Sequence, residues 1–162
     1  MKQTFISFIH EDACIATPLA AFFKKNGHKV FLTADEWTLY AGEVWLDRIK
    51  KELGEADIVL ALFSQSSVTR PWIHFEAGAA WLSGKLMIPV CIGSFRVEDL
   101  RIPYSGIQSV HLSDYGSVYY LLRSTFRHRT EPGATMVPPV SSTSDEMKAL
   151  LEALSSYKDP GA

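Results

Sequence analysis

Glu76 stands in the segment Phe75-Glu76-Ala77-Gly78-Ala79-Ala80, whose other members are apolar or small. A carboxylate held among such residues loses its water, which raises its pKa unless a partner offsets the loss. A carboxylate perturbed in this way is a candidate functional group. The alternative is an acid in the first turns of a helix, favoured by the helix dipole. Spacing alone leaves both readings open. Trp72 lies four residues earlier, so on a helix the indole and the carboxylate share a face. Three further groups are polar: His10-Glu11-Asp12, Asp35-Glu36-Trp37, and Ser64, Ser66 and Ser67. His10 is of a type that moves protons near neutral pH, although a single histidine at a strand exit is more often hydrogen-bonded in place. The serines lack His and Asp partners and no GxSxG elbow exists, which argues against a serine hydrolase. The absence of GxGxxG and Walker A loops argues against dinucleotide-fingerprint and P-loop enzymes.

These residues are positioned by alternating elements. Residues 5–9 form a short aromatic and β-branched run that reads as a buried strand. Ile15, Leu19, Phe22 and Phe23 recur at helical spacing, with Asp12 or Thr17 as N-cap and Gly27 as C-cap. Residues 29–32 give a second strand and 33–42 a polar, aromatic loop. Leu46, Ile49 and Leu53 mark a second helix. The unbroken apolar run 58–63 is expected of a central strand covered on both faces. Pro71 suits the first turn of a third helix toward Gly84. Strands at 86–92 and 107–112 and a helix at 114–129 complete the pattern. Sequential βα units of this length predict a flavodoxin-like three-layer sandwich: a central five-stranded parallel sheet with helices on both faces. In such sheets the ligand site lies beyond the carboxyl ends of the strands, which is where the groups above fall.

Length and composition agree with one domain: 162 residues, 47% hydrophobic and 21% charged. A formal net charge of -2 offers no overall positive field for nucleic acid or an anionic membrane, and neither is expected as a partner. No apolar run approaches the ~20 residues of a membrane span. Cys14 and Cys91 have no CxxC spacing and predict no metal site; they read as buried free thiols of a cytoplasmic protein. After Arg129 the composition shifts. The division read from it is a domain at 1–129, a mobile Pro/Ser/Thr-rich linker at 130–145, and a short amphipathic helix at 146–162. That helix opens on a capping box from Thr143 to Glu146 and is striped by Met147, Leu150, Leu151 and Leu154, so it must dock, by preference on its own domain. With the pattern complete by Arg129, the tail is expected to be dispensable for folding.

Taken in order, these segments resemble the TIR (Toll/interleukin-1 receptor) domain of bacterial type. Phe5-Ile6-Ser7-Phe8 followed by His10-Glu11-Asp12 resembles the family's opening box. Val30-Phe31-Leu32 and the loop Asp35-Glu36-Trp37-Thr38-Leu39 to Gly42 resemble the second strand and the BB loop. Residues 56–64 resemble the third strand, and Pro71-Trp72-Ile73-His74-Phe75-Glu76 with Gly78 resembles the segment of the catalytic glutamate. Thr33 and Ala34 stand as extra residues before the loop, which also lacks the Pro-Gly tip of many receptor members. The resemblance implies an NAD+ nucleosidase of antiphage defence, with Glu76 as the catalytic residue and NAD as substrate rather than cofactor. It implies a pocket drawn from Phe8, Ile9, His10, Asp35, Trp37, Ser66 and Trp72. Either ADP-ribose or a cyclic ADP-ribose fits as product. Self-association through TIR–TIR contacts is implied as well, with the tail available to a sensor domain or partner. Two alternatives stay open: a non-enzymatic assembly module, and a nucleoside deoxyribosyltransferase-like enzyme, which Phe75-Glu76-Ala77-Gly78-Ala79 also resembles.

Overall fold

The computed structural model describes residues 1–34, 45–127 and 144–159. Five parallel strands, β1 (Lys2–Phe8), β2 (His28–Ala34), β3 (Ile58–Phe63), β4 (Leu86–Cys91) and β5 (Val110–His111), form one sheet in the order β2-β1-β3-β4-β5. The helices are α1 (Ala13–Lys25), α2 (Trp45–Glu55), α3 (Pro71–Leu82), α4 (Tyr115–Arg127) and α5 (Asp145–Ser156). Parallel strands need crossovers, and the first three carry α1, α2 and α3. The fourth, from β4 to β5, runs through short 3-10 turns at Val97–Asp99 and Tyr104–Gly106. The expected flavodoxin-like sandwich is therefore the fold.

Period-two alternation sorts the side chains onto two faces. Ile6 and Phe8 of β1, with Ile58, Leu60 and Leu62 of β3, pack against α1, α4 and α5. Phe5 and Ile9, with Val59, Ala61 and Phe63, pack against α2, α3 and the β4–β5 crossover. Every residue of β3 is buried, as its unbroken apolar run requires.

Local chemistry sets the boundaries. Gly27 adopts φ +84 after α1, the left-handed turn a side chain would resist. Pro71 occupies the first turn of α3, where its missing N–H costs nothing. Helix α1 starts at Ala13, so Thr17 is not its cap and Pro18 lies inside it. Asp12 flanks the start without capping through its side chain. Strand β2 runs on through Thr33 and Ala34, which are strand residues rather than loop, and β5 keeps only two residues of the run expected at 107–112. Cys91 is buried, which pushes its thiol up to about 12, whereas Cys14 is exposed, contrary to expectation.

The tail departs further from the sequence reading. Ser144, not Thr143, caps α5, its hydroxyl accepting the Met147 N–H at 3.2 Å. Thr143 and most of the expected linker lie outside the described residues. Met147 and Leu150 are fully buried in the cluster on α1, so the hydrophobic core does not end at residue 129. Beyond α5, Tyr157 donates to Asp12 at 2.6 Å, and the Asp159 carboxylate accepts from the Ser94 N–H at 2.7 Å and hydroxyl at 2.5 Å. Gly93, at φ +63, permits this approach: a Cβ there would lie 2.6 Å from both Tyr157 and Asp159.

Two outcomes follow from the packing. Leu150→Ala should cost about 3 kcal/mol and lower the melting temperature by roughly 10 °C; an unchanged melting temperature would show that α5 is not part of the core. The second concerns His28, packed edge-on between Phe23 and Phe126 with Nδ1 2.7 Å from Thr4 Oγ1. Burial, reinforced by the Lys2 charge, pushes its pKa from 6.5 down to about 4. Between those values the unfolded chain binds the proton and the folded one does not. The contribution is thus whole above pH 6.5 and lost as pH falls toward 4, by roughly 3 kcal/mol. Urea unfolding at pH 7.5 and pH 4 should show a smaller loss in His28→Gln than in wild type; parallel losses would exclude His28 as the source.

Candidate active site

The buried face of α3 consists of Ile73, Glu76, Ala77 and Ala80, the spacing of one helical stripe. Ala77 and Ala80 are short enough to bring the helix down onto the sheet, where β1 pairs Ser7 with the equally short Ala61 of β3. Glu76 is thereby delivered into the interface with its side chain fully buried.

What receives it is a rung of two hydroxyls. Ser7 of β1 and Thr33 of β2 are register partners on adjacent parallel strands, so their side chains leave the sheet together on the α3 face. The Ser7 hydroxyl donates to Glu76 Oε2 at 2.5 Å and the Thr33 hydroxyl donates to Oε1 at 3.3 Å. Two residues down, Phe5 and Phe31 are also register partners, and their rings stack with centroids 5.5 Å apart. The carboxylate therefore rests on a polar rung above an aromatic one.

The other expected pocket residues are distributed unevenly. Ile9 is buried in the same layer as Glu76, and Trp72 packs at the margin of that layer with its ring stacked on the exposed Phe75 at 5.4 Å. His10 is exposed in the turn that follows β1. Ser66 precedes the turn Ser67–Thr69 and accepts the Thr69 hydroxyl at its carbonyl, 3.2 Å. Phe8 does not belong with them: strand alternation turns it into the cluster on α1, across the sheet from Glu76. Asp35 and Trp37 lie outside the described residues. Ser7 and Thr33 were not expected at the site. A polar residue at the middle of Phe5-Ser7-Ile9, all on one strand face, was the available signal for the first.

A cleft of about 820 Å³ opens on a different flank of α3, lined by Val68, His74, Phe95, Leu100 and Tyr104. His74 is committed there, Nδ1 lying 2.9 Å from the Tyr104 hydroxyl and Nε2 2.7 Å from the Val68 carbonyl. Glu76, Ser7 and Thr33 do not line this cleft, and its size gives it no share in their chemistry. Near the ends of β1 and β3, Asp12 accepts from Ser64 at 2.9 Å and from Tyr157. Burial raises its pKa, against the lowering effect of those two hydrogen bonds. No cluster of His, Cys, Asp and Glu suited to a metal ion occurs among the described residues. No helix among them is long and apolar enough to cross a membrane.

Sheet order, layering and a carboxylate buried beside the carboxyl ends of β1 and β2 define a flavodoxin-like α/β domain with a candidate site at the strand ends. Residues 4–119 match the model of the TIR domain, and the chain belongs to the TIR domain family. Among solved structures, the TIR domains of the activated Roq1 resistosome, which directly recognises the pathogen effector XopQ, are similar at 15% identity and TM-score 0.48. That match covers 97% of this chain and 86% of that one. A glucosamine N-acetyltransferase region of a fungal multi-domain GH3 β-N-acetylglucosaminidase is similar at 12% identity and TM-score 0.33, covering 57% and 10%. Neither carries a functional argument at that distance. A comparison with curated proteins finds no match.

Proposed function

We propose that this TIR domain cleaves NAD+ at the nicotinamide–ribose bond, with Glu76 as the catalytic residue. The observation that carries the reading is a fully buried carboxylate, at the position resembling the family's catalytic glutamate, with a hydroxyl on each oxygen. As the glycosidic bond breaks, nicotinamide leaves with the bonding electron pair and loses its positive charge. The ribose then takes on oxocarbenium character, as a glycoside does. An anion facing that carbon stabilises the charge as it forms. Nicotinamide is already cationic in the substrate and needs no proton to leave, so NAD is the only small molecule the reading requires. Attack by water at the anomeric carbon, with release of a proton, yields ADP-ribose; attack by a nitrogen of the adenine ring yields a cyclic product. Trp72 and Ile9 lie in the Glu76 layer and supply apolar walls; Ser66, His10, Asp35 and Trp37 are assigned to the same pocket on the resemblance. The role proposed for this activity is NAD depletion or signalling in bacterial antiphage defence, in the cytoplasm.

One observation favours a second reading, a non-enzymatic assembly module. Glu76 is wholly buried with both oxygens already hydrogen-bonded, as a structural carboxylate would be. Glu76→Gln separates the two, because it keeps the shape and removes the charge. Purified protein incubated with NAD should release nicotinamide, and Glu76→Gln should slow that release more than ~100-fold while unfolding near the wild-type temperature. Wild-type turnover in a well-folded Glu76→Gln protein would remove the residue from the mechanism. Base release from a deoxynucleoside, with none from NAD, would favour transferase-like chemistry.

We further propose that copies associate before turnover. Phe75, Trp81 and Leu82 of α3 are 62%, 60% and 80% exposed, large apolar groups that a solitary domain would leave in water. Specific activity should rise with protein concentration, and a flat profile from an active, monomeric sample would overturn the association requirement.

A further inference from the structure

We propose that Ser7 and Thr33 are positioning residues for Glu76, a hydroxyl rung that holds its side chain as an oriented anion. The proposal rests on the reading of Glu76 as the catalytic residue and adds the groups that prepare it. A carboxylate taken out of water prefers to be neutral unless donors reward its charge. Ser7 and Thr33 supply two such donors, neutral hydroxyls that come from different strands yet occupy the same register position. Because each oxygen receives its own donor, the carboxylate can neither rotate about its terminal bond nor tilt along the sheet without breaking one contact. A single donor would leave that rotation free. Both hydroxyls sit within the sheet, fully buried for Ser7 and 5% exposed for Thr33, so the rung is as rigid as the strands that carry it.

The rung also explains why these two positions are polar at all. Their face is otherwise built from Phe5, Ile9 and Phe31, and α3 meets it with Ile73, Ala77 and Ala80. A hydroxyl in that layer loses hydrogen bonds to water and needs a partner, and each finds it on Glu76. Charged and titratable groups on the elements around Glu76 include His10 beyond β1, Lys29 on β2 and Glu52 on α2, both bonded to Gln3, Arg48 on α2, which lies 5.6 Å over the Phe31 ring, and His74 on α3, whose ring is engaged by Tyr104 and Val68. None of these groups is replaced in the Ser7 and Thr33 variants, so a comparison of variants reads the rung.

The test uses the full chain and the variants Ser7→Ala, Thr33→Val and Ser7→Thr. The first readout is independent of activity: the side-chain carboxyl carbon of Glu76, labelled with carbon-13 and assigned by its absence in Glu76→Gln, is followed by NMR as pH is varied. Loss of either hydroxyl should move its titration upward, by about one pH unit for Ser7→Ala, and Ser7→Thr should restore it. The second readout is NAD cleavage across pH. Ser7→Ala should lower kcat about tenfold, leave KM within about twofold, and shift the acidic limb of the profile in the same direction as the NMR titration. A residue that merely supports the fold would lower activity evenly at every pH and leave the titration where it was. An unmoved titration in a folded Ser7→Ala, Thr33→Val double variant would overturn the proposal. If Glu76→Gln stays active, the catalytic reading fails, while the titration still decides whether the rung holds the charge. If Glu76→Gln is inactive and the rung variants keep the wild-type profile, the positioning role alone fails.

Discussion

A carboxylate cannot be sealed between a helix and a sheet without donors, and the bonds from Ser7 and Thr33 to Glu76 go toward making that burial tolerable. Leaving such a charge uncompensated costs several kcal/mol, a large share of a domain's net stability. This constraint reaches outward. Helix α3 must present Glu76 directly over the Ser7–Thr33 rung, which fixes its rotation and its height along β1. Its approach must be close, which restricts the surrounding stripe to Ala77 and Ala80 and the strand beneath to Ala61. Strand β2 must extend through Thr33, because a strand ending at Leu32 would leave one carboxylate oxygen without its hydroxyl donor.

The opposite face of the sheet solves a different problem. There the residues are almost wholly apolar, and α1, α4 and α5 cover them by size alone. Apart from His28 with Thr4 and Thr125, polar chemistry on this side gathers at the carboxyl rim, where Asp12, Ser64, Tyr157, Asp159 and Ser94 form a chain of hydrogen bonds across the exits of β1, β3 and β4. Burial pushes the Tyr157 hydroxyl up, and its bond to Asp12 pushes it further, so it stays protonated and able to donate at neutral pH. Hydrogen bonds from Ser94 hold the Asp159 carboxyl below its usual range even though burial acts the other way.

Much of this was legible in the residues. The run 58–63 coincides with β3, Pro71 opens α3, Gly27 ends α1, and Glu76 was singled out as the carboxylate in an apolar stripe. What escaped was whatever depends on a partner distant in the chain. Alternation shows that Phe8 and Ile9 point to opposite faces, but not which face will meet Glu76. Thr33 reads as loop because polar residues follow it, and only its pairing with Ser7 marks it as strand. Ser7 carries no spacing signal toward Glu76, since the two are 69 residues apart and meet only because α3, in the crossover from β3 to β4, packs over β1. The tail docks on its own domain, as its apolar stripe led one to expect, yet nothing local shows that Tyr157 completes the hydrogen bonding of Asp12. Ser144 caps α5, which begins one residue later than the Thr-x-x-Glu pattern suggests.

The contact between Asp12 and Tyr157 spans 145 residues of sequence. A chain leaving the ribosome exposes its ends in order, so β1, α1 and the middle strands emerge while Asp12 still lacks one of its two hydroxyl donors. Domains are assembled from the amino terminus at the pace of synthesis, on the order of 5–20 residues per second. The buried carboxylate at the start of α1 therefore waits several seconds for the segment that closes over it. Until then the apolar face of α1 that receives Met147 and Leu150 is open to solvent, and the nascent domain presents to chaperones the surface that the finished one conceals.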